Sequence, residues 1–111
     1  MQLAIETADS IDLQAFDPGT ALVVETHTSR YRLVVLWDSH FVLMKGGAMF
    51  LDDTVVRLDG AVVGSALRVG WIVVGLRMEM RVGSACIRTS PVRSVTVESV
   101  PPSNWRRSLP L

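Results

Sequence analysis

Apolar positions along this chain recur with a period of two rather than three to four, and short polar or glycine-containing breaks separate the runs. From Ala21 onward the pattern predicts strand after strand. The run ALVVETHTSRYRLVVLW is dense in β-branched and aromatic residues, with a polar break at His27 to Arg30 that reads as a hairpin loop. With those four residues as the loop, Val24 faces Leu33, Thr26 faces Tyr31, and Glu25 faces Arg32 as a cross-strand ion pair. The second arm breaks at Asp38-Ser39 and resumes as HFVLMK, which makes a three-stranded meander. Tyr31, Leu33, Val35 and Trp37 share one face, yet Val34 and Leu36 on the other face are apolar too. A sheet apolar on both sides points to a barrel or a two-layer sandwich rather than an open sheet.

Further on, Gly46-Gly47 predicts a bulge or turn with positive φ. Asp52-Asp53 and Asp59-Gly60 read as turns around a short strand from Thr54 to Leu58, and Gly64, Gly70 and Gly75 as places where the sheet coils. Gly83-Ser84 has the glycine-first form of a two-residue type II′ turn. That register sets Val82 against Ala85, Met80 against Ile87 and Glu79 against Arg88. Met78, Met80, Val82, Ala85, Ile87 and Thr89 then face inward, while Arg77, Glu79, Arg81, Cys86, Arg88 and Ser90 face outward. Pro91 cannot donate to a ladder, so a break or an edge is expected there before RSVTVES. Ile11 to Phe16 reads as a short helical turn or an edge strand, and Asp17-Pro18-Gly19 as a turn.

The expected fold is therefore all-β: a small antiparallel barrel or two-layer sandwich of six to eight strands, within a single domain of residues 1–100. Residues 1–19 form its N-terminal lead-in, and 101–111, with three prolines and no periodicity, its tail. A chain of 111 residues supports one modest core. At 49% apolar and 20% charged it has a globular composition, and no apolar run reaches the ~18 residues a spanning helix needs. The acidic N-terminal stretch lacks a signal-peptide pattern and Cys86 stands alone, so a cytoplasmic protein outside the membrane is expected.

Three stretches, DPGTALVVETHTSRYRLVVL, GWIVVGLRMEM and TSPVRSV, resemble a group of short bacterial proteins of unknown function, a likeness running from Asp17 to Val97. The resemblance implies a compact domain and brings no activity or catalytic residue with it.

Charge is split along the chain. Residues 1–55 hold eight acids and three bases, and residues 56–111 hold three acids and eight bases, so the net charge is zero. Packing the halves together cancels the asymmetry, whereas leaving it exposed would offer a basic face to an anion or a head-to-tail contact to another subunit. Such a neutral chain is a poor polyanion binder, and Trp37, Trp71 and Phe41 sit in apolar runs that read as core rather than as stacking platforms.

Candidate chemistry is sparse. His27 and His40 flank the second strand about 20 Å apart, and with one cysteine the ligand pool is too small for zinc. Cys86, opposite Arg81, and the Asp52-Asp53 pair are the remaining starting points for an enzyme. The expectation is instead a non-enzymatic binding or assembly module without cofactor, with a protein or a second copy as partner. An alternative is nucleic-acid or small-anion binding by Arg88, Thr89, Ser90, Arg93 and Ser94, where arginines and hydroxyls surround the proline. Without an anion, the hydroxyls would satisfy freed backbone groups and the arginines would pair with Glu79 and Glu98. In the tail, Trp105, Arg106 and Arg107 form an aromatic-plus-arginine docking candidate.

Overall fold

A computed structural model describes residues 6–38 and 40–99. Ten strands are present among the described residues: β1 (Glu6–Ala8), β2 (Ser10–Asp12), β3 (Ala21–Thr26), β4 (Arg30–Val35), β5 (Phe41–Gly46), β6 (Phe50–Val63), β7 (Ala66–Val69), β8 (Trp71–Val73), β9 (Arg77–Val82) and β10 (Ala85–Ser99). The one helical element described is a 3-10 turn at Leu13–Ala15, whose first turn is capped by Asp12 Oδ1 accepting from the Gln14 N–H at 3.0 Å.

All pairings are antiparallel, and six of them form a circuit: β10 with β3, β3 with β4, β4 with β5, β5 with β6, β6 with β9, and β9 back to β10. The fold is thus an all-β barrel rather than a sandwich. Beyond this ring, β1 pairs with β10, β7 with the far end of β6, and β2 with β8 in a separate two-stranded sheet. Inward-facing positions on the ring strands alternate as the pleat requires. Leu22 and Val24, Leu33 and Val35, Val42 and Met44, Val56 and Leu58, Met78 and Met80, and Val92 and Val95 are all buried. Ile11, Leu13 and Ile72, from the small sheet and the 3-10 turn, join the same core.

The Gly83-Ser84 hairpin has the predicted register, Ala85 against Val82 through Arg88 against Glu79. Gly83 has φ +60, and Ser84 is not among the described residues with positive φ, as a type II′ turn requires. Gly46 and Gly47 also have the expected positive φ.

The first hairpin differs from expectation by two residues. Glu25 lies opposite Arg30, Val24 opposite Tyr31 and Val23 opposite Arg32, because the tip is only His27-Thr28, closed by the Thr26 N–H donating to Ser29 O at 2.8 Å. A shift of two keeps every side chain on its face, so the core is unchanged. Arg32 loses Glu25 as its partner and instead donates through Nε to Glu98 Oε1 at 2.6 Å.

Four further expectations are corrected. The short strand Thr54 to Leu58 is part of a continuous 14-residue strand, β6, with Asp52-Asp53 inside it. Asp59-Gly60 is not a turn but a bulge, where the register against β9 shifts between Leu58 and Gly60. The bend is needed because β6 serves β5 along its first half and β9 along its second. Gly60, at φ +147, passes so close to β7 that a Cβ there would run into the Arg68 carbonyl oxygen. Pro91 neither breaks its strand nor marks an edge: β10 runs through it, lying against Arg77 of β9, and the Pro91 carbonyl accepts from the His27 N–H at 3.1 Å. Finally, Trp37 is 55% exposed and Phe41 37%, so neither is core.

Candidate functional site: a two-arginine depression and an apolar wall

The segment RTSPVRS is organised by the bulge in β10. Register against β9 slips by one residue between Arg88 and Pro91, which leaves the Met78 amide without a backbone partner opposite. Buried Thr89 fills that position. Its Oγ1 accepts from the Met78 N–H at 3.1 Å and donates to Ser90 O at 2.7 Å. Ser90 Oγ accepts from the Thr28 N–H at 3.2 Å and lies 3.1 Å from Thr28 Oγ1. Ser94 Oγ donates to Glu25 Oε1 at 3.3 Å. These hydroxyls are engaged in tying β10 to its neighbours.

The two arginines go to different places. Arg88 Nε donates to Glu79 Oε1 at 2.9 Å, as the register predicts. Arg93 does not pair with Glu98, which Arg32 holds. It lines a depression of about 320 Å³ together with Glu25, Thr26 and Ser94, where a carboxylate already stands beside it. Arg88, Thr89 and Ser90 line another, of about 240 Å³, against Tyr31, Phe50, Met80 and Ile87. Arg88 and Arg93 thus line different depressions.

What Arg88 does share is a third depression, with Arg77. This one measures about 330 Å³ and is lined by Val62, Val63, Gly64, Gly75, Leu76, Arg77, Arg88 and Pro91. Arg77 lies opposite Pro91, and its Nη1 donates to Thr89 O at 3.1 Å. The β10 bulge thus turns a carbonyl toward Arg77 and draws its guanidinium toward β10. Arg77 belongs to the outward-facing set that the hairpin register predicts. Its role in a site does not follow from sequence, because it depends on the bulge.

The remaining sequence candidates are dispersed. Cys86 is a free, exposed thiol opposite Arg81. Asp52 and Asp53 are exposed on β6. Among the described residues no three His, Cys, Asp or Glu side chains converge as metal ligands would, and no helix is long and apolar enough to cross a membrane. Trp105, Arg106 and Arg107 lie outside the described residues.

Outside the barrel, side chains segregate. On β9 and β10 the outward positions are Arg77, Glu79, Arg81, Cys86 and Arg88. Asp59, reached by the Nε atoms of Arg57 at 3.3 Å and Arg81 at 3.2 Å, joins this charged wall to β6. The opposite wall carries a band of apolar side chains, with exposed Arg32 and Lys45 opposite each other in a row beside it. Val34, Leu43 and Val55 lie abreast on β4, β5 and β6, with Phe41 opposite Arg57 in the next row. Outward-facing Leu67 and Val69 continue that surface on β7. Of the eight large apolar side chains exposed among the described residues, Phe41, Val55, Leu67 and Val69 lie on this surface, whereas Met49 and Val63 line the depressions that Arg88 shares. Arg68 stacks on Trp71 with its guanidinium carbon 3.6 Å from the ring centroid.

No protein-family model, curated protein or solved structure matches this chain.

Proposed function

We propose that this protein is a non-enzymatic assembly module that associates with a second copy of itself through the apolar wall of β4 to β7. The observation that carries this reading is the grouping of the exposed side chains of Phe41, Val55, Leu67 and Val69 on that wall. A soluble monomer scatters such residues, and a contiguous patch of several hundred Å² marks a contact surface.

Size and charge favour a second copy as the occupant. The exposed parts of Trp37, Phe41, Leu51, Val55, Leu67 and Val69 offer roughly 600 Å² of apolar surface. Two such patches meeting across a two-fold axis bury about 1,200 Å², the lower bound for a specific interface. Two of the neighbouring cations are paired within the chain, Arg57 with Asp59 and Arg32 with Glu98, so covering the wall leaves neither of these without its partner, and Lys45 borders it at the row of Arg32. With a net charge of zero, two copies do not repel each other over distance. The edge expected at Pro91 plays no part in this contact, because β10 is paired there.

Sedimentation velocity tests the reading. An interface of this size predicts a dimer with a Kd on the order of 10 µM, so the sedimentation coefficient should rise as concentration passes through that range. Val55→Asp and Leu67→Asp each place a charge on the wall without touching the core, and each should hold the protein monomeric with its melting temperature little changed. A wild-type monomer well above that concentration would overturn the reading. So would a dimer that both variants preserve.

A further inference from the structure

We infer that the depression between Arg77 and Arg88 is a binding site for a small carboxylate carrying a compact apolar body. This inference does not rest on the self-association proposed above: Val62 of the lining adjoins Leu67, but the arginines that define the site belong to β9 and β10.

Three features carry it. First, both guanidinium groups are held in place yet keep donors to spare. Arg88 commits only its Nε–H, to Glu79, and Arg77 only Nη1, to Thr89 O. The terminal nitrogens of Arg88, and Nη2 and Nε of Arg77, have no partner among the described residues. Held arginines with unused N–H groups are preorganised for a planar two-oxygen acceptor, because little side-chain entropy remains to be lost. Second, the charges count to a monoanion. Two arginines and Glu79 leave a net charge of +1, and Glu79 stands behind Arg88 rather than in the lining of the depression. A carboxylate neutralises that site, and a dianion over-fills it. Third, the lining also offers the apolar side chains of Val62, Val63, Leu76 and Pro91, beside the backbone of Gly64 and Gly75. At about 330 Å³ it lies at the small end of ligand pockets, the size for a ring or a short branched chain. The guanidinium pair would fix the head and the apolar floor would take the body.

Phenylacetate is a suitable probe, followed by amide chemical shifts in an isotope-labelled sample of the whole chain. For a ligand of this size a Kd on the order of 1 mM is expected. Saturable shifts should be centred on Leu76, Arg77, Arg88 and Val62. Acetate, which lacks the body, and phenylacetamide, which lacks the charge, should each bind at least tenfold more weakly. Arg88→Met and Arg77→Met keep the aliphatic stems and should each weaken phenylacetate at least tenfold. Glu79→Gln removes the competing charge and should tighten it several-fold. Overturning results are the absence of saturable shifts, shifts centred elsewhere, equal affinity for phenylacetamide, or Met variants that bind normally. Tenfold tighter binding of phenyl phosphate would overturn the assignment to a monoanion.

Discussion

Replacing Thr89 by valine isolates the hydroxyl on which the β10 bulge depends. The two side chains have nearly the same shape, so packing in this buried position is retained. What is lost is the acceptor for the Met78 amide, and with it the donor to Ser90 O. The Met78 amide is buried, and leaving such a group unsatisfied costs about 1–3 kcal/mol. With the smaller loss at Ser90 O, a destabilisation of about 2 kcal/mol is expected, or a drop in melting temperature of about 10 °C for a domain of this length. Thr89→Ser makes the informative comparison. It keeps both hydrogen bonds and deletes one methyl group, which costs about 0.8 kcal/mol. Urea unfolding of the three proteins with a common slope should order them as wild type, then Thr89→Ser, then Thr89→Val. Hydrophobicity alone predicts the reverse for the two variants. If Thr89→Val proves as stable as the wild type, the hydroxyl does not bridge the bulge, and the geometry that draws Arg77 toward β10 loses its explanation.

Other outcomes follow from the same structure. Gly60→Ala should destabilise the barrel by more than the ~1 kcal/mol of an ordinary backbone penalty, because a Cβ there meets the Arg68 carbonyl at φ +147; thermal denaturation reads this directly. Gly46→Ala meets the Arg30 carbonyl in the same way and should behave alike. Glu98→Gln, by contrast, removes a solvent-exposed ion pair with Arg32 and should cost less than about 1 kcal/mol in urea unfolding.

The parts of the fold legible in the sequence are those determined locally. Gly83-Ser84 admits one tight turn type, so the β9–β10 register, its faces and the Glu79–Arg88 pair follow directly. His27 to Arg30 contains no such glycine, and a four-residue loop and a two-residue tip are equally compatible with it. Only the parity of the hairpin could be read, which is why the core faces were right and the partner of Arg32 was not. Non-local demands account for the rest. Asp52-Asp53 and Asp59-Gly60 carry turn chemistry, yet ring closure needs one long strand that bends, and the acids are accommodated on its exposed side or at its bulge. Pro91 lacks a donor, but β10 changes partners around it, so the missing N–H is not required by the ladder. Phe41 faces outward on β5, and Trp37 follows β4 rather than continuing it. Their hydrophobicity reflects a surface, which a pattern of apolar residues cannot distinguish from a core. The candidate site shows the same division. Arg88 and Thr89 stand out in the sequence, whereas Arg77 joins them only through the bulge, and Arg93 is carried away to Glu25.

The central claim, that the apolar wall is the contact between two copies, is tested most directly by methyl spectra recorded over a dilution series. The account predicts that the methyl signals of Leu43, Val55, Leu67 and Val69 shift together with one apparent dissociation constant, while those of Val92 and Val95 in the core stay fixed. Signals that do not change with concentration, or changes confined to β9 and β10, would contradict it.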